Sequence, residues 1–103
     1  MKEISVQELK ALLVDVNLVD VREPDEYVEA HVPGANLIPL ATVPVRDNEL
    51  DKSQTQYIIC KSGVRSAKAA QYLIDQGFDA VNITGGTMAW IEAGEPVHTG
   101  DQP

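Results

Sequence analysis

The stretch QYIICKSGVRSAKAAQYLIDQG, residues 56–77, decides the fold. QYIIC (56–60) is apolar and β-branched, the composition of a buried strand. A glycine-containing basic loop follows. From Val64 to Gln76 the pattern turns helical, with Ala67, Ala70, Leu73 and Ile74 on one face and Gly77 as the stop. The chain holds no internal repeat and no low-complexity segment. NLVDVR (17–22), ANLIPL (35–40) and AVNIT (80–84) read as further short strands. Ser5 and Glu8 form a capping box that opens a helix with Val6, Leu9, Leu12 and Leu13 on its apolar face. Pro24 suits the first position of a second helix through EPDEYVEA, and GGTMAWIEAG gives a last short one carrying Met88, Trp90 and Ile91. Short apolar strands alternating with helices predict an α/β fold whose parallel sheet is covered on both faces. Ligands of such sheets collect at the carboxyl ends of the strands, and Cys60 stands at one.

A chain of 103 residues fits one domain, here expected over 1–97, with HTGDQP (98–103) as a flexible tail. Segment 41–54, ATVPVRDNELDKSQ, reads as short helix or loop. A hydrophobic content of 44% makes the chain globular rather than disordered. The formal net charge of −8 disfavours nucleic acid and anionic membranes, both of which need a basic surface. No window approaches the ~18 apolar residues of a membrane span. A single cysteine cannot pair within the chain and fits a reducing, cytoplasmic setting. One Cys and two distant His residues lack metal-ligand spacing, so neither metal nor cofactor is expected.

The loop after Cys60 has the makings of an anion site. Backbone amides at a helix start are unpaired and partly positive. Gly63 permits the positive φ that turns successive amides inward as a nest. Lys61 and Arg65 add positive charge, and Ser62 and Ser66 add hydroxyl donors. A thiol at the centre of such a nest ionises readily, as comparable settings lower Cys to roughly 3.5–7.5.

Four stretches resemble the single-domain rhodaneses of the sulfurtransferase superfamily. They are Ser5-Val-Gln-Glu-Leu at the opening helix, LVDVREPDEYVEAHVPGANLIPL, YIICKSGVRSAKAA and GFDAVNITGGTMAWIEAGEPV. The resemblance implies a five-stranded, mostly parallel sheet with helices on both faces. It implies Cys60 as the nucleophile that forms a persulfide, cradled by Lys61, Ser62, Gly63, Val64, Arg65 and Ser66. Phosphatases of related fold use a C-x5-R loop, whereas Cys60 to Arg65 is C-x4-R, a tighter ring suited to one sulfur atom. The implied reaction is double displacement from a small anionic donor such as thiosulfate to cyanide, a thiol or a protein acceptor. A sulfur-carrying or adaptor module docked on a partner protein is the alternative.

Around this centre, Asp20 is expected to brace the Cys60 loop, and Arg22 to pair with a carboxylate such as Glu26. His31 reads as turn packing, His98 as an idle tail residue, Gly85-Gly86 as a tight strand-to-helix turn, and Trp90 as a core anchor. Arg46 lies in the ambiguous segment and carries no expected contact.

Overall fold

The computed structural model describes residues 1–103, the side chain of Val14 excepted. Five strands and five helices run in the order β1 (Lys2–Ile4), α1 (Val6–Leu12), β2 (Asn17–Asp20), α2 (Pro24–Glu29), β3 (Asn36–Leu37), α3 (Val43–Arg46), β4 (Gln56–Ile59), α4 (Val64–Asp75), β5 (Ala80–Ile83) and α5 (Gly86–Glu92). The strands form one parallel sheet in the order β1-β5-β4-β2-β3. β4 lies at its centre, which brings the carboxyl end of that strand, and Cys60 after it, between the ends of β2 and β5.

The period of two along each strand sorts side chains between two cores. Leu18, Ile59, Val81 and Ile83 face one layer with Leu9 of α1, Tyr27 of α2 and Trp90 of α5. Val19, Ile58, Cys60 and Ala80 face the other, with Ala69, Ala70 and Leu73 of α4 and Val43 of α3. Helices therefore cover both faces. Asn82 follows the same alternation and lands on the α4 side, buried to 2% exposure where an apolar residue would be the default.

Several local expectations need adjusting. The N-terminal MKEI is not a mere prelude to α1: Lys2–Ile4 pairs with Val81–Ile83 and supplies the sheet's fifth strand. Its shortness hides it, since only Ile4 is buried. The capping box of Ser5 and Glu8 is present, but α1 stops at Leu12, which is left exposed. On α4 the buried face is Ser66, Ala69, Ala70 and Leu73, so the apolar stripe is offset from the one expected and includes a serine. Segment 41–54 folds into α3 between tight helical turns at Leu40–Thr42 and Asp47–Glu49. Trp90 is a core anchor, its Nε1 donating to Pro96 O at 2.8 Å.

Residues 98–103 make several contacts with the rest of the chain. His98 and His31 exchange backbone hydrogen bonds at 2.9 Å each way, and Gly100 N donates to Val28 O at 2.8 Å. His31 is fully buried, its ring stacked on Tyr27 with centroids 3.7 Å apart. One ring nitrogen meets Tyr27 O and the other meets Gln102 O, each at 2.7 Å. The tail is thereby tied to the turn after α2, a long-range bridge that its polar, proline-ended composition does not announce.

Candidate active site

β4 ends at Ile59 because the chain must turn there. Gly63, at φ +107°, reverses the backbone and opens α4 as its N-cap. This turn brings two donors onto the sulfur of Cys60. Gly63 N–H donates to Sγ at 3.1 Å and the Ser66 hydroxyl at 3.2 Å. Burial at 1% exposure pushes the thiol up, and the Ser66 hydroxyl with the amides of Ser66, Gly63 and Ser62 more than offsets this. The net effect holds Cys60 below the ordinary thiol value of 9.0. The sulfur sits at the base of a loop whose residues Lys61, Ser62 and Val64 are exposed.

The loop is buttressed from behind by the Gly85-Gly86 turn. Thr87 N donates to Cys60 O at 2.9 Å and Met88 N to Lys61 O at 3.0 Å. Gly86 makes this approach possible: a Cβ there would lie 2.5 Å from both carbonyl oxygens. The expected tight turn is thus also the platform on which the loop rests. From the α4 side, Gly63 O accepts from Ala67 N and from Asn82 Nδ2, both at 3.2 Å.

The cations do not act alike. Arg65 is forked onto Glu26 of α2, Nη1–Oε1 2.7 Å and Nη2–Oε2 2.9 Å. The Arg65 guanidinium is the main cause that lowers the Glu26 carboxyl to about 2. That depressed carboxyl contributes stability in full above its unfolded value of 4.5, and the contribution fades as pH falls through about 2. Lys61, by contrast, is exposed and joins no ion pair among the described residues. It borders a 240 Å³ cavity with Arg22, Glu26, Thr87, Met88 and Ile91.

Asp20 and Arg22 form a different unit from the one expected. The Asp20 carboxylate accepts from Arg22 Nε at 3.0 Å, from Nη2 at 2.8 Å and from the Arg22 amide at 3.0 Å. Arg22 Nη2 also donates to Ala30 O at 2.8 Å. Arg22 therefore pairs with Asp20 and not with Glu26, and Asp20 fastens β2 to the end of α2 rather than touching the Cys60 loop. The carboxylate that Arg22 takes is thus Asp20, and Glu26 is held by Arg65. His31 stands under α2, and Arg46 pairs with Glu49 away from the loop.

Sequence reading missed three participants: Gly86 as a platform, Glu26 as the partner of Arg65, and Asn82. The signal for Asn82 was a polar residue inside AVNIT, in a strand buried on both faces.

The family profile for the rhodanese-like domain matches residues 5–93. A thiosulfate sulfurtransferase, GlpE, of Pseudoalteromonas translucida is 36% identical over 95 residues, covering 89% of this chain and 90% of its own. YrkF of Bacillus subtilis, named for sulfur carrying, is 44% identical over 92 residues, 85% of this chain but 50% of its own length. A crystal structure of a rhodanese-like domain protein from Staphylococcus aureus superposes with a TM-score of 0.88 at 42% identity, over 96% of this chain and 98% of that one.

Proposed function

The chain belongs to the rhodanese-like domain family, and we propose that it is a sulfurtransferase in which Cys60 carries the sulfur. In the first step the Cys60 thiolate attacks the outer sulfur of thiosulfate. The S–S bond of the donor breaks, sulfite leaves with the electron pair, and a Cys60 persulfide anion remains. Charge is conserved, because thiolate plus dianion becomes persulfide anion plus dianion. In the second step a thiophilic acceptor, cyanide in an assay or a thiol in solution, attacks the terminal sulfur and restores the thiolate. This is covalent catalysis by an activated nucleophile, for which ping-pong kinetics are the signature.

The observation that carries this reading is the pair of donors on Sγ, Gly63 N–H and Ser66 O–H. The Gly63 amide is fixed before any reaction and stabilises a sulfur anion without rearranging, and the Ser66 hydroxyl stands within reach of the same atom. They also touch the sulfur itself, which supports a ring sized for a chalcogen rather than for a phosphate held above it. Exposed Lys61 supports an anionic donor. Arg65 is taken up by Glu26, and its part is to tie the start of α4 to α2 by an ion pair. Ser62 and Val64 are exposed on the loop.

The test is thiocyanate formation from thiosulfate and cyanide. The unaltered protein should give it with ping-pong kinetics, and Cys60→Ser should abolish it completely. Activity surviving that substitution defeats the mechanism. The likeness to a relative named for sulfur carrying favours a second reading, in which a partner protein receives the sulfur. It is recognised by stoichiometric persulfide on Cys60 with negligible thiocyanate turnover.

A further inference from the structure

Ser66 Oγ lies 3.2 Å from Cys60 Sγ and 2.5 Å from Asn82 Oδ1. Both neighbours call on it as a donor, and a serine hydroxyl has one proton. The orientation of the Asn82 amide is settled by its other end. Its Nδ2 faces two acceptors, Glu3 Oε2 at 2.8 Å and Gly63 O at 3.2 Å, which a flipped amide would meet with its own oxygen. Asn82 Oδ1 therefore points at Ser66. Resting on the reading of Cys60 as the sulfur-bearing residue, we infer that Asn82 is a positioning residue that competes with Cys60 Sγ for the Ser66 hydroxyl proton.

Two arrangements follow, and each satisfies a different charge state. With the thiol, Cys60 S–H donates to Ser66 Oγ and Ser66 donates on to Asn82, so every group in the chain is paired. With the thiolate, the S–H proton has gone to solvent, the Ser66 hydroxyl turns to Sγ, and Asn82 Oδ1 is left without a donor. Ser66 and Asn82 are buried at 0% and 2% exposure, so solvent does not stand in for the lost partner. Asn82 thus holds back full ionisation of Cys60. When the outer sulfur of a persulfide carries the charge instead, Sγ no longer needs the hydroxyl, and Ser66 returns to Asn82. The arrangement favours the sulfur-loaded cysteine over the bare thiolate. The charged groups facing this chain are Glu3 on β1, whose carboxylate holds Asn82 Nδ2, and Arg65 on α4, whose charge is shared with Glu26.

The pH dependence of Cys60 alkylation by iodoacetamide tests this without any sulfur donor, so its outcome is independent of whether thiosulfate is turned over. Asn82→Leu keeps the shape and removes the competing acceptor, while Gly63 O retains its bond from Ala67 N. The alkylation midpoint should fall, by about tenfold in ionisation constant, the scale of one orphaned buried acceptor. In a Ser66→Ala background the same substitution should have no effect, because the contested proton is gone. A merely structural role for Asn82 would leave the midpoint unchanged, raise it, or shift it equally in both backgrounds, and any of these overturns the proposal. The unaltered protein supplies a second readout. The Asn82 side-chain amide resonances should titrate with the Cys60 midpoint, and resonances blind to that midpoint contradict the competition.

Discussion

Replacing Gly86 by alanine is expected to cost about 3 kcal/mol or more of folding stability, combining backbone strain with a close clash. The added Cβ would lie 2.5 Å from Cys60 O, 2.5 Å from Lys61 O and 2.6 Å from Lys61 C. All three are backbone atoms of the loop, so no side chain can swing aside. The residue also sits at φ +59°, which alanine resists. Relief requires moving α5 off the loop, which stretches the bonds from Thr87 N and Met88 N to those same carbonyls. Gly63→Ala is the informative contrast. Its φ of +107° is unfavourable, yet the nearest atoms to the new Cβ are 3.5 Å away, an ordinary contact. Strain alone, roughly 1–3 kcal/mol, should remain. Urea unfolding of the two variants measures the difference, and a Gly86→Ala protein within ~0.5 kcal/mol of the original would contradict the tight approach.

The second large effect is expected at Asp20. Its side chain is 0% exposed and that of Arg22 only 7%, so the pair is an interior ion pair. Asp20→Ala strands the guanidinium with Ala30 O as its one remaining partner. Removing one half of a buried pair typically costs about 3–5 kcal/mol, because the other charge stays desolvated. For a domain of this size that is a fall of roughly 15 °C or more in melting temperature. Substituting both members, Asp20→Leu with Arg22→Leu, should recover most of the loss. Thermal unfolding of the single and double variants checks this. A double variant no better than the single one would show that Asp20 acts through something other than Arg22.

Much of the fold was legible because apolar runs and turn residues agree with each other. QYIIC and AVNIT are dense enough to declare strands, and Gly77 and Gly94 mark where helices end. β1 was not legible, because three residues with a single buried side chain carry no period of their own. The α4 stripe was misplaced for a different reason. A buried serine looks polar in sequence, and its inward partners Cys60 and Asn82 come together only in the fold. The partners of the arginines were unreadable in principle. Glu26 could have served Arg22 or Arg65 on spacing alone, and only the folded chain shows that the fork at the start of α4 reaches it. The nest around Cys60, by contrast, could be read from one glycine, one helix start and their order in the chain. The contacts of the tail are made by backbone groups of His98, Gly100 and Gln102 that any sequence would present.

That nest lowers the Cys60 thiol through the donors around its sulfur, and a titration of the unaltered protein tests it most directly. Cys60 is the sole cysteine, so thiolate absorbance or alkylation rate against pH reports on it alone. The sign is definite: a folded thiol held low contributes stability above its unfolded range, and loses it as pH falls through the folded midpoint. The expected midpoint lies below the ordinary 9.0, and it should move upward in Ser66→Ala. A midpoint at or above 9.0, unmoved by that substitution, would mean that burial outweighs the donors and that the loop does not activate the sulfur.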